Sequence, residues 1–523
     1  MCGPDNGLVS VSIIHSRAIS GLSALPVQVE TDLANGLPSF SIVGLPDAAV
    51  REAKDRVRAA IQNSGFEFPQ RRVTVNLAPA DLPKESGRFD LPIALGILVA
   101  SGQIARRASV DLLDRWEFVG ELSLTGNLLP VHGAFTLAMG VLSEDATHCS
   151  RALVLPWANR TEASLTESRE LGFAASLRDV TDFLQEGLLL PAADDALLDS
   201  RDALETENDW SDIQGQEKAK RAAVIAAAGQ HNLLMFGPPG VGKSMIATRL
   251  AALLPQLTRQ EACELASIKS LCARVDSATW RRPPCRSPHH STPARALVGG
   301  GSPIRPGEIS LAHHGILFLD ELPEFSRDCI ESLREPLETG QVSISRVRGK
   351  LTFPAHIMLV AAMNPCPCGY FGALKAQRVC RCPPERIERY RSKISGPVMD
   401  RFDMAIQLET VTVDNMARGH QGGTHHNAEL RARIENARAL QLQRQSSTNG
   451  RCSAAALERT FQMSPQAMQL LEQVAARFVW SMRAWHRAMR VARTIADLDH
   501  SPGVELDHVT EAVELRRALD LPA

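Results

Sequence analysis

Eight consecutive residues near the middle of the chain constrain it most. Gly237-Pro238-Pro239-Gly240-Val241-Gly242-Lys243-Ser244, followed by Met245, lie between a short apolar run, Leu233–Phe236, and a helical pattern. Glycines at this spacing let backbone N–H groups turn inward around phosphates, and the helix N-terminus behind them adds positive potential. In that reading Lys243 reaches the β- and γ-phosphates of ATP and the Ser244 hydroxyl ligates Mg²⁺. The alternative is an ordinary Gly/Pro turn, which the strand before and the helix after disfavour.

Further apolar strands are expected at Ile316–Leu319 and His356–Ala362, with helices between them. Buried strands separated by helices imply an α/β core with a mostly parallel sheet. The strand Ile316–Leu319 ends in Asp320-Glu321. Strands that end at a nucleotide crevice put their last residues on the ligand. Asp320 is therefore expected to hold Mg²⁺ through water, and Glu321 to polarise the attacking water. Asn364, at the end of the next strand, is placed to orient that water, or is a turn residue before Pro365.

The 523 residues allow several domains. Before the nucleotide segment, residues 1–185 read as a compact α/β unit. Its strand signals fall at Leu8–Ile13, Phe40–Val43 and Val73–Leu77, and its helices at Pro46–Asn63 and Asp90–Ser101. Residues 186–208 read as a linker or a terminal helix. The core is expected over residues 209–417, with a cysteine-rich insertion at 365–383. A polar stretch at Arg418–Asn427 opens a mainly helical lid, residues 418–523.

A net charge of −2 excludes a globally basic nucleic-acid binder, so any DNA contact must come from a local surface. With only 2 tyrosines, broad stacking on single strands is not an obvious mode. Met1-Cys2-Gly3-Pro4-Asp5 lacks the basic and apolar parts of a secretory signal, and no apolar run reaches about 18 residues. These features and the odd count of 11 cysteines point to a reducing, cytoplasmic setting. Cys366-Pro367-Cys368 and Cys380-Arg381-Cys382 form two close pairs that could enclose a structural Zn²⁺ or remain four free thiols. Ser343–Lys350 alternates and then turns at Gly349, as a hairpin carrying Arg346, Arg348 and Lys350. It is either a phosphate-binding loop or a solvated face. Arg281, Arg282 and Arg286, with His289 and His290, form a second, equally ambiguous basic stretch.

These motifs resemble the AAA+ family, and more narrowly its magnesium-chelatase-like group. Pro306-Gly307-Glu308-Ile309-Ser310-Leu311-Ala312-His313-His314-Gly315 is similar to the stretch before the acidic strand in magnesium chelatase and mini-chromosome-maintenance helicases. Ser395-Gly396-Pro397-Val398-Met399-Asp400-Arg401-Phe402-Asp403 resembles their arginine-finger segment. That match implies that Arg401 reaches a neighbouring subunit's γ-phosphate, unless it pairs with Asp400 or Asp403. Ser481-Met482-Arg483 resembles the sensor-2 segment, which implies that Arg483 contacts its own subunit's γ-phosphate, with Arg487 and Arg490 as competitors. In the resembled helicases a hairpin at Arg346–Lys350 lines a central pore. Leu82–Leu91 and Gly120–Gly126 resemble the Lon protease domain. The family's serine falls on Arg88 or Phe89 and its lysine on Phe135 or its neighbours within His132-Gly133-Ala134-Phe135, which implies a proteolytically dead fold.

The domain order is similar to that of the ComM/YifB competence family. The resemblance implies an ATP-driven homo-hexameric helicase acting on single-stranded or branched DNA. It would promote branch migration and recombination during natural transformation, with recombination proteins as partners. The alternatives are a protein-remodelling chaperone, whose pore loop would carry an exposed aromatic, and a chelatase motor, in which a Lon-like domain is not expected.

Overall fold

The computed structural model describes residues 11–44, 48–80, 82, 87–104, 106–143, 151–188, 190–192, 210–301, 304–346, 349–372, 379–410 and 427–519. Its strands in chain order are β1 (Val11–Ser20), β2 (Ser23–Ala34), β3 (Ser39–Val43), β4 (Arg72–Ala78), β5 (Trp116–Phe118), β6 (Glu121–Leu122), β7 (Leu128–Leu129), β8 (Ala152–Pro156), β9 (Leu171–Ala174), β10 (Leu233–Phe236), β11 (Cys285–Arg286), β12 (Gly299–Gly300), β13 (Arg305–Pro306), β14 (Ile316–Leu319), β15 (Gln341–Arg346), β16 (Gly349–Pro354), β17 (Met358–Met363) and β18 (Met404–Gln407). The chain divides into two compact units. One comprises Met1–Ala203, Ala262–Trp280 and Ser302–Arg305; the other comprises Leu204–Glu261, Arg281–Gly301 and Pro306–Ala523.

The first unit is built on a seven-stranded sheet, β3-β4-β2-β1-β5-β8-β9. β1, β2 and β4 pair antiparallel, whereas β5, β8 and β9 continue in parallel from β1. The helix Asp90–Ala100 is apolar all round and buried from Asp90 to Val99, as expected of a helix sunk in a core rather than lying on it. Its close approach to the sheet requires Gly96, where a Cβ would lie 2.4 Å from Thr31 Oγ1.

Phe135, in the helix Ala134–Ser143, is fully buried against Leu165, Ala266 and Val275. Gly133 N–H donates to Ser270 O at 2.7 Å, and Thr136 Oγ1 donates to Ser267 O at 3.1 Å. The segment Ala262–Trp280, although it follows the nucleotide loop in sequence, thus supplies part of this unit's core. Arg88 is also buried. Pro83, Lys84, Glu85 and Ser86, quoted for the protease resemblance, lie outside the described residues, as do Leu8, Pro46 and most of the expected linker.

The second unit has a five-stranded parallel sheet ordered β11-β14-β17-β10-β18. β10, β14 and β17 are buried along their whole length, which explains their unbroken apolar runs. β17 begins at Met358 rather than at the expected His356. β10, β14 and β17 run side by side in register, so their carboxyl ends open on one edge of the sheet. Helices Asn427–Gln445, Pro465–Arg477, Met482–Leu498 and Leu506–Arg517 form the C-terminal part, and their apolar faces join the core of the same unit. β15 and β16 form the expected hairpin; Val347, Arg348 and the polar stretch from Arg418 as far as residue 426 lie outside the described residues. Among the described residues no helix is long and apolar enough to cross a membrane.

Candidate nucleotide site and arginine cavity

The loop between β10 and the helix Lys243–Leu253 passes through Gly240 and Gly242, both with positive φ, of 78° and 94°. A side chain there would be strained, so glycine is needed to turn the N–H groups toward the helix axis. Gly237 is required for another reason: a Cβ would lie 2.6 Å from Leu408 O.

Lys243 Nζ donates to Gly237 O at 2.8 Å, to Pro238 O at 2.9 Å and to Asn364 Oδ1 at 3.1 Å. All three ammonium donors are therefore directed at the loop and at the end of β17. Burial lowers its pKa, and the nearby Asp320 and Glu321 partly offset that effect. Ser244 Oγ lies 2.5 Å from Asp320 Oδ2, which brings two hard oxygen ligands together at the end of β14. Glu321 has φ of 52°, in the left-handed region, and its N–H donates to Asp320 Oδ1 at 2.9 Å. Such a conformation in a residue other than glycine is a recurrent mark of functional positions. Gly240, Gly242, Lys243, Ser244, Met245, Asp320, Glu321 and Asn364 line one cavity of about 350 Å³.

Arg401 and Arg483 line a different cavity, of about 440 Å³, which shares no residue with the first. Among the described residues Arg401 pairs with Glu338, not with Asp400 or Asp403. Its Nη2 donates to Glu338 Oε2 at 2.8 Å, and its side chain is 5% exposed. Arg483 Nη2 reaches Glu338 Oε1 at 3.3 Å. The resemblance implies a contact of Arg483 with its own subunit's γ-phosphate; in the structure its side chain lies beside Glu338 instead. Arg483 is in the first turn of the helix Met482–Leu498 and lines a cavity that does not include Lys243.

Asp403 is instead held by Arg487 Nη1 at 2.8 Å and by the Asn232 N–H at 2.8 Å. Burial pushes its carboxyl up, but Arg487, His231 and the Asn232 N–H together hold it well below the ordinary carboxylate range. Arg451 and Arg490 complete a strongly cationic lining.

A model for the magnesium chelatase subunit ChlI matches residues 209–416, a second ChlI model matches residues 29–159, and a model for the ChlI C-terminal region matches residues 424–516. Competence protein ComM of Haemophilus influenzae is 44% identical over 517 residues, covering 98% of this chain and 99% of the relative. The YifB protein of Escherichia coli is 43% identical, with 97% of each chain covered. The chain belongs to the ComM/YifB family of magnesium-chelatase-like AAA+ ATPases. By contrast, the magnesium-chelatase 38 kDa subunit of Cereibacter sphaeroides is 28% identical and covers 44% of this chain and 72% of its own.

In this ComM/YifB chain the paired cysteines converge. Cys366 Sγ lies 3.3 Å from Cys368 Sγ and 3.7 Å from Cys380 Sγ, and all four sulfurs, with Cys382, lie within 4.8 Å of one another. A tetrahedral zinc with Zn–S bonds of about 2.3 Å sets its sulfurs about 3.8 Å apart, so the four thiols fit such an ion. The knot touches the nucleotide loop: a Cβ on Gly369 would lie 2.6 Å from Pro239 Cδ. The helix Pro384–Arg391 then pins the segment after Asn364, because Arg391 Nε donates to Pro365 O at 3.1 Å.

Lys350 is exposed on β16, whereas Arg348 lies outside the described residues. The second basic stretch is partly neutralised, since Arg286 donates to both oxygens of Glu308 at 2.6 and 2.9 Å. Sequence reasoning missed Glu338 and gave His290 and Asp403 other settings than the fold does. His290 Nδ1 lies 3.5 Å from Glu321 Oε2. Glu338 clasps two arginines, and Asp403 anchors Arg487. His290 was read only within a basic stretch and Asp403 only as a possible partner of Arg401, while nothing in the sequence marked Glu338.

Proposed function

We propose that this protein is a ring-forming ATP-driven DNA motor, a helicase that promotes branch migration in recombination during natural transformation. The observation that carries the reading is the separation of two half-sites on one chain. Lys243, Ser244, Asp320, Glu321 and Asn364 share one cavity, and Arg401 and Arg483 share another. A head-to-tail interface that closes into a ring would bring the second half-site of one copy against the first of the next.

In that arrangement Lys243 holds the β- and γ-phosphates of ATP. Glu321 accepts a proton from the attacking water, which Asn364 orients. Arg401 and Arg483 of the neighbouring copy stabilise charge that develops on the transferred phosphoryl group. Ser244 and Asp320 would hold Mg²⁺, which offsets phosphate charge when bound. Cys366, Cys368, Cys380 and Cys382 would hold Zn²⁺, which would lend the knot beside Pro239 its rigidity. The N-terminal unit serves as a Lon-like fold without peptidase chemistry, with Arg88 or Phe89 at the family's nucleophile position and Phe135 or a neighbour at its base position.

The DNA assignment is supported by the nearly full-length relative named as a competence protein and by the exposed Lys350 on the hairpin. Phe353, the aromatic of β16, is fully buried, which offers no exposed pore aromatic for gripping unfolded protein. The test is steady-state ATP hydrolysis by the full chain with and without forked DNA, with Glu321→Gln as control. Stimulation by DNA that the variant lacks is expected. Hydrolysis indifferent to every DNA structure would instead favour a protein-remodelling motor.

A further inference from the structure

Glu338 sits in the last turn of the helix Arg334–Thr339. Its carboxylate is divided between Arg401, at 2.8 Å, and Arg483, at 3.3 Å. The Arg401 contact involves a buried guanidinium and is the stronger one. The Arg483 contact joins side chains 64% and 53% exposed, and pairs of that kind contribute little by themselves. One carboxylate thus sets the spacing of two cations that would otherwise repel. Arg401 Nε has no hydrogen-bond partner among the described residues, so this guanidinium keeps a buried donor for a further anion.

The same turn is the root of the hairpin. Thr339 Oγ1 donates to Glu335 O at 2.9 Å and accepts from the Gln341 N–H at 3.2 Å. Gly340 N–H donates to Pro336 O at 2.9 Å, and Ala355 N–H donates to Gly340 O at 2.7 Å. Both feet of the hairpin, before β15 and after β16, are therefore tied within two residues of Glu338. Gly340 has φ of 70°, and a Cβ there would lie 2.2 Å from His356 Cε1, so the joint has no slack. A displacement of the hairpin must move the last turn of the helix, and with it the carboxylate.

We propose that Glu338 is a positioning residue that couples the β15–β16 hairpin to Arg401 and Arg483, so that a polyanionic strand pressing on the hairpin resets both arginines for ATP hydrolysis. The inference rests on the reading given above, in which the arginines complete a neighbouring copy's ATP site and the hairpin meets DNA. Glu338 lines no part of the cavity around Lys243, so its loss should act on turnover rather than on ATP affinity.

The test compares the wild type, Glu338→Gln and Glu338→Asp as full chains, over a range of ATP concentrations, with and without saturating forked DNA. Glutamine keeps the shape and removes the charge; aspartate keeps the charge. The ratio of kcat with DNA to kcat without it is expected to fall to within about two-fold of unity in Glu338→Gln, with KM for ATP changed by less than about two-fold. Glu338→Asp should recover most of the ratio. A ratio unchanged in Glu338→Gln overturns the proposal, as does an aspartate variant that behaves like glutamine. A melting temperature for each variant separates uncoupling from misfolding, and a misfolded Glu338→Gln leaves the decision to Glu338→Asp. A wild type indifferent to DNA, or an Arg401→Ala variant as active as wild type, sinks the underlying reading and this proposal with it.

Discussion

Lys243 Nζ and Asn364 Oδ1 lie 3.1 Å apart, joining the nucleotide loop to the end of β17. The contact places a neutral amide where the attacking water and the γ-phosphate meet in the proposed mechanism. Asn364→Ala is expected to lower kcat by roughly 100-fold, the scale for losing one preorganised polar group, while nucleotide affinity changes little. Steady-state kinetics with a fluorescent-nucleotide titration check both halves. A large loss of affinity would instead make Asn364 a binding residue.

Metal removal should act on the cysteine knot and, through it, on the loop. The purified chain is expected to carry about one zinc per chain, set by one four-thiolate site. Cys368→Ser, or a strong chelator, should release that metal and lower the melting temperature. Elemental analysis and calorimetry measure these effects, and a metal-free native chain with an unchanged melt would leave the cysteines as free thiols.

Asp403 gives a pH prediction. Its folded pKa is depressed below the unfolded value, so its stabilisation is fully present above about pH 4. That stabilisation is lost as pH falls further, through the folded pKa. Asp403→Asn leaves Arg487 without its carboxylate and is expected to cost about 3 kcal/mol at pH 7, with the difference shrinking toward pH 2. Denaturant titrations at several pH values check the sign.

Phe135→Ala should destabilise the N-terminal unit by about 3–5 kcal/mol, because the ring is fully buried among Leu165, Ala266 and Val275. Phe135→Lys, which restores the residue type of the resembled protease, should be at least as damaging, since it buries an unpaired ammonium. Thermal melts and a peptidase assay read both effects, and the lysine variant is expected to show no peptidase activity.

The nucleotide half of the site was legible because its chemistry is local. Gly240, Gly242, Lys243 and Ser244 are contiguous, and Asp320 and Asn364 follow strands whose apolar runs mark them. Glu338 was not legible. It reads as one more acid on a short polar helix, and only the fold brings it to Arg401 and Arg483. The contact of Arg483 with Glu338 was likewise hidden, because the direction of a helix in space is not written in its residues. The docking of Ala262–Trp280 on Phe135 was hidden likewise, since a contact between residues more than a hundred positions apart leaves no periodic trace. The convergence of four thiols, by contrast, followed from two C-x-C pairs 11 residues apart.

The most direct test of the account is subunit mixing. Arg401→Ala and Glu321→Gln chains are each expected to hydrolyse ATP on the order of 1000-fold more slowly than wild type. Mixed in equal amounts, they should regain on the order of a quarter of wild-type activity, because random head-to-tail assembly pairs an intact Glu321 with a neighbour's intact Arg401 at about one interface in four. A mixture no more active than its components, under conditions where the subunits exchange, would contradict an ATP site completed by the neighbouring copy.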